Sequence, residues 1–186
     1  MASVVGICNE ALVSLGADTI AALTENSPAA RACNARYEDA RDSVLRAHSW
    51  NCATAKVKLQ RLSDDPVFTW AYAYQLPTDC LRVISLASGE DFEVVGRTVE
   101  TNDSDPALKY VKRLTDPAQM DSLLRSAIAA RLAAEIAYIV TKDTKILDAA
   151  WTLLSNKLAE AMIRDAEEGQ IETSVISGSS WLDVRS

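Results

Sequence analysis

One histidine, His48, is the only imidazole in 186 residues, and the four cysteines, Cys8, Cys33, Cys52 and Cys80, form no C-x-x-C pair. A zinc site needs Cys or His ligands at short, regular spacings, so the chain has no seed for one. The cysteines read as reduced thiols, with Cys8 and Cys33 on apolar helix faces. Phosphate-binding loops are equally missing: neither a Walker loop nor G-x-G-x-x-G occurs, and G-x-S-x-G and H-E-x-x-H are absent too. Ser49 and Cys52 lie near His48 in sequence, but neighbours on a strand or turn point apart. A structural role for the histidine is therefore expected over catalysis. Long apolar runs are also wanting. Ala127 to Val140 is interrupted by Arg131 and Glu135 and is too short to span a bilayer. No basic flank precedes Val4-Val5-Gly6-Ile7, and Asn9-Glu10 follow at once, so no signal peptide is expected. Asn102-Asp103-Ser104 matches a glycosylation acceptor that has no use without secretion. Positive charge is scarce, with 19 Lys and Arg against 26 Asp and Glu and a net charge of -7. Such a surface repels phosphate backbones, which argues against a nucleic-acid grip. It remains compatible with a surface that DNA slides past.

What is present is a 48% hydrophobic chain, enough for one domain with a real core. Val4, Ile7, Cys8, Ala11, Leu12 and Leu15 follow helical spacing, and Gly16 offers a left-handed stop. Ile20 and Leu23 are expected to anchor the loop that follows. Ser27-Pro28 should cap and open a second helix, whose charges (Arg31, Arg41 and Arg46 with Glu38, Asp39 and Asp42) face solvent or another subunit. No glycine ends that helix. Instead the period switches from helical to two at Trp50, which predicts a structural corner at His48 and Trp50. Ala53, Ala55, Val57 and Leu59 alternate as on a half-buried strand. Phe68, Trp70, Tyr72, Tyr74 and Leu76 occupy every second position, an aromatic face expected to turn inward, in part a partner surface. Further strands are predicted at Leu81–Leu86, Phe92–Val95, Thr98–Thr101 and Leu108–Lys112. Asp116-Pro117 should open a third helix. Its alanines permit close packing against a fourth helix, antiparallel across the short Thr141–Thr144 link.

The expected fold is mainly α: one domain over residues 1–186, with an antiparallel helical bundle from 1–48 and 116–169. A small antiparallel β insertion (49–115) sits between the second and third helices, and an extended C-terminal tail (170–186) follows. The acid pairs Asp64-Asp65, Glu90-Asp91 and Glu167-Glu168 fall in turns or at helix ends, where solvated charge is the ordinary role.

Several segments carry a family resemblance. The helix containing Ala40-Arg41-Asp42 runs into His48-Ser49-Trp50-Asn51, much like an "ARD-x-x-L" helix that feeds an "H-P-W-N" corner. Ile7–Gly16, Cys33–Tyr37, His48–Ala53, Tyr72–Val83, Val95–Arg97, Tyr110-Val111, Thr115–Pro117 and Asp165–Gly169 follow in the same order. Together they resemble the tubular tail protein A family, the head-to-tail adaptors of short-tailed bacteriophages, over nearly the whole chain. Ser49 stands where that family usually has proline, and the register after Gly169 varies.

The resemblance implies a structural virion protein without enzymatic activity or cofactor, made in the host cytoplasm. Its copies would form a ring of about twelve below the portal, with closed rotational symmetry. The ring would extend the DNA channel and serve as a platform for the tail nozzle protein, with no membrane contact and no specific hold on DNA. Ile171, Val175, Ile176, Trp181 and Leu182 would then contact the portal protein, and Glu90 and Asp91 would line the channel. The competing expectations are a cell-wall hydrolase carried in a virion and a small cytosolic helical regulatory or binding domain.

Overall fold

Ser3 accepts a hydrogen bond from the Gly6 amide (3.0 Å) and starts helix α1, Val4–Ser14. Gly16, at φ +70°, turns the chain out of it. The computed structural model describes residues 2–169. Across the following loop, Asn9 accepts from the Ile20 amide (2.8 Å) and donates to its carbonyl (2.9 Å). That pairing fixes Ile20 in the core, as expected of an anchor of this loop. Ser27 caps α2, Pro28–Ala47. Helices α3, Ser122–Thr141, and α4, Thr144–Gly169, meet at Lys142, which adopts the left-handed conformation at φ 56°.

Helix α3 is covered on nearly every face. Ala127 to Ala130, Leu132 to Ala134, Ile136 and Ala137 are all buried. Alanine presents little bulk, so α1, α2 and α4 approach it closely and bury it among them. The strands are β1 (Thr54–Lys58), β2 (Gln60–Arg61), β3 (Tyr72–Gln75), β4 (Cys80–Leu86), β5 (Phe92–Val95), β6 (Thr98–Thr101) and β7 (Ala107–Lys112). They form two antiparallel sheets, a three-stranded one in the order β1-β7-β4 and a four-stranded one in the order β2-β3-β6-β5. Tyr74 and Val99 of the larger sheet share a second apolar cluster with Leu86, Leu108 and Tyr110 of the smaller. The sheets therefore pack on each other around a core of their own. Leu81, Val111 and Leu114 instead join the helical core. β4 and β7 thus contribute to both cores and couple the two halves.

The expected helical bundle with a small β insertion is corrected by this arrangement: the protein is mixed α/β, with four α-helices and two sheets of three and four strands among the described residues. A β segment with its own core is a structural layer in its own right. Two local expectations also change. The aromatic alternation does not form one strand. Phe68 is 77% exposed, Thr69 takes φ 75°, and only Tyr72–Gln75 finds partners, β2 and β6. Asp116 caps a single 3-10 turn, Pro117–Gln119, while α3 starts later under Asp121, which accepts from the Leu123 and Leu124 amides. The short link does send α4 back along α3, as expected.

Trp50 is 1% exposed and joins helix to sheet. Trp50→Ala should cost about 3–5 kcal/mol. Thermal unfolding should show a melting temperature lowered by about 6 °C or more; a shift below about 2 °C would contradict the anchoring role.

Candidate functional site

The corner after α2 is built from three unlike interactions. His48 leaves the helix in an extended conformation (φ -139°, ψ 163°), and Trp50 folds back so that its indole N–H donates to the Val44 carbonyl at 2.9 Å. That bond satisfies a carbonyl the helix end leaves without an internal partner. The His48 and Trp50 rings meet edge to face, 5.0 Å between centroids. His48 and Trp50 thus stand together between the end of α2 and the start of β1.

Asp165, in the last turns of α4, completes the corner from 114 residues away. Its carboxylate accepts from the Asn51 amide at 2.9 and 3.2 Å and lies 3.1 Å from His48 Nε2. The Asn51 side chain returns a bond to the Asp165 carbonyl at 2.6 Å. An acid at this place caps the 3-10 turn Asn51–Ala53 and offers a charge partner to a protonated His48. At the end of α4, a Cβ on Gly169 would stand 2.8 Å from Asn51 Oδ1, so a larger residue there would have to displace the Asn51 side chain from the Asp165 carbonyl. From the other side, Arg82 of β4 donates to Ser49 Oγ at 2.9 Å. Ser49, where the resembling family has proline, holds the sheet with a hydroxyl that proline lacks.

The remaining candidate groups are dispersed. Cys8 and Cys33 adjoin in the core, and the Cys33 contact together with burial pushes the Cys8 thiol well up. Burial also raises Cys80. Cys52 is exposed at its rim, yet desolvation, then the Asp165 and Asp121 charges, raise its thiol as well. Thiols held protonated are poor nucleophiles. Burial pushes the Tyr37 phenol up to about 12. Asp65 is occupied by Arg61 (2.8 Å) and Glu167 by Arg164 (2.8 Å). Among the described residues, no three His, Cys, Asp or Glu side chains cluster so as to hold a metal ion, and no helix is long and apolar enough to cross a membrane.

Glu90 and Asp91 are exposed in the turn between β4 and β5. The loop after β6 lies beside them: Thr101 Oγ1 donates to the Asp91 carbonyl (2.9 Å), and a hydrogen bond from Ser88, then one from the Asp105 amide, lowers Asp103. This end of the sandwich thus collects Glu90, Asp91, Asp103 and Asp105, although Lys58 offsets Asp105 (2.6 Å). Sequence reasoning found only the first two, because the loops that carry the four acids are brought together by strand pairing. Ile171, Val175, Ile176, Trp181 and Leu182 lie outside the described residues.

In comparison with known proteins, no family model matches the chain and no curated protein is significantly similar to it.

Asp165→Ala should destabilise the protein by about 1–3 kcal/mol, since the Asn51 amide and His48 lose their acceptor. Amide hydrogen exchange should rise first in the last turns of α4 and at residues 48–53. Unchanged protection there would show that packing alone seats the helix end.

Proposed function

We propose that this chain is a structural head-to-tail adaptor of a short-tailed bacteriophage. Copies of it form a closed ring beneath the portal, carry the DNA channel onward and give the tail nozzle a platform. The observation that carries this reading is how the resembling segments meet. Asp165 and Gly169 of one segment touch His48 and Asn51 of another. Arg97 of a third donates to the Pro77 and Cys80 carbonyls of a fourth. The Tyr110 hydroxyl bonds Asp79 at 3.2 Å, and Cys8 adjoins Cys33. The residues behind the resemblance are those that fasten one element to the next, as a signature inherited through a fold would be. The net charge of -7 and the acidic end of the sandwich suit a lumen along which DNA moves without adhering.

In this reading, α4 supplies part of the lateral contact. Trp151, Leu153 and Ile163 stand exposed on it, separated by charged and polar residues. Apolar positions so interrupted favour a ring that forms on a template over one that persists alone. Residues 170–186 contact the portal through Ile171, Val175, Ile176, Trp181 and Leu182, with Trp181 as the main anchor.

Electron microscopy of the purified protein mixed with the portal of its own genome tests the assignment, and a ring bound to the portal is the expected image. Light scattering of the protein alone should give a monomer at micromolar concentration. Removal of residues 170–186 should weaken portal binding tenfold or more, equivalent to about 1.4 kcal/mol. Absence of any portal complex would end the proposal. Separately, replacing Glu90 and Asp91 together by lysine should slow DNA ejection while leaving assembly intact. Unchanged ejection would move the channel lining elsewhere.

A further inference from the structure

A cleft of about 490 Å³ opens where the sandwich meets the helical body, and its lining contains four arginines and no acidic residue. Arg46 comes from the end of α2, Arg82 from β4, Arg97 from the β5–β6 turn and Arg113 from just beyond β7. In a chain of net charge -7, this is a local inversion of sign.

The partners of these arginines leave most of their charge uncompensated. Arg113 pairs with Asp42 at 2.8 Å. Arg46 donates to the Leu81 carbonyl, and Arg97 to the carbonyls of Cys80 (3.0 Å) and Pro77. Arg82 reaches the Ser49 hydroxyl, while its Nε is buried with no hydrogen-bond partner. Among the described residues, Arg46, Arg82 and Arg97 form no ion pair. A buried charged donor without a partner is costly, and a carboxylate in the cleft would offset the charge of the guanidinium that carries it. Guanidinium groups match carboxylates in planar, two-pronged geometry.

The opposite wall adds a second kind of specificity. β5 is the outer strand of its sheet, with β6 on one side and no strand on the other. The two-residue turn at Gly96-Arg97 makes Val95 and Thr98 the hydrogen-bonded pair beside it. Pairs alternate along an antiparallel ladder, so the backbone groups of Phe92 and Val94 point outward. Their side chains line the cleft. The facing edge of β4 is closed at Cys80 and Leu81, whose carbonyls Arg97 and Arg46 already occupy.

We infer that this cleft receives an extended peptide segment of a partner protein, added as a strand along β5, with a carboxylate between apolar side chains delivered to Arg82 and its neighbours. An unpaired strand edge is satisfied by another polypeptide backbone. Nucleic acid offers no such ladder and would leave Phe92 and Val94 against its phosphates. The inference stands independently of the adaptor reading, since it rests on the edge and the charges alone.

The test uses the full chain and two fluorescein-labelled heptapeptides at low ionic strength. One alternates valine with glutamate, and its twin has glutamine in place of each glutamate. Fluorescence anisotropy should show the glutamate peptide binding at least tenfold tighter. Arg82→Gln should abolish that preference, and Val94→Pro should weaken both peptides while circular dichroism stays unchanged. Should either variant misfold, amide shifts of the unaltered protein on peptide addition provide the readout, with the expected changes concentrated at Phe92–Val95 and Arg82. Equal binding of the two peptides, shifts elsewhere, or stronger binding of a short DNA duplex would each overturn the assignment. So would binding seen only after residues 170–186 are deleted, which would make the chain's own segment the occupant.

Discussion

A helix buried on nearly every face must have neighbours on most sides, and α3 imposes that demand on the rest of the molecule. Its alanines at 127, 129, 130, 133, 134 and 137 leave so little side chain that covering helices must come close to make dispersion contacts. α1, α2 and α4 do so, and each spends its apolar face on α3. The polar exception is informative. Arg131 bonds Glu135 one turn on (2.6 Å) and lays its guanidinium over Trp151 of α4 at 5.4 Å, so the one charged break in the stripe still serves the helix pair.

With the helices committed to one another, the sheets must bury most of their apolar surface elsewhere, and they do so mutually. The join between the two cores is then polar as well as apolar. Asp42 holds both Arg41 of its own helix and Arg113 beyond β7, each at 2.8 Å. Arg41 is 5% exposed, so removing Asp42 would strand a buried charge, a larger loss than the pair itself contributes. Just past the same end of that helix, the Asp165 carboxylate fastens α4 to the corner. Two carboxylates on the helical side therefore set how the sandwich sits on the helices.

Elements announced by neighbouring residues were legible in the sequence. Ser27-Pro28 opened α2 as read, and Gly16 ended the first helix of the chain. Trp50 was legible as a corner because the period of the pattern changes there. Features that depend on distant segments were not. Phe68 and Trp70 carry the same alternation as Tyr72 and Tyr74, but only the latter pair lies opposite β6, and alternation does not say where a partner strand ends. Asp116-Pro117 and Asp121 are both competent caps, and tertiary packing chose between them. The weight of the β half was underestimated because its core gathers Leu59, Tyr74, Val99 and Leu108 from four separate segments. The same holds for the corner acid Asp165 and for the arginine cleft, whose members are scattered from position 46 to 113.

The pairing of Thr54 with Val111 has a consequence for how the chain can come together. α2 and α3 are separated by the entire β half, yet they must lie side by side, so the helical core cannot close until the two ends of that half meet. Loop closure cost grows only slowly with length, and the intervening hairpins shorten the effective loop as they form. The β5–β6 hairpin, with its two-residue turn, is the natural early step, and the β1–β7 pairing acts as the clasp that brings α2 against α3. Residues at the far rim, such as those around Phe68, lie outside this closure.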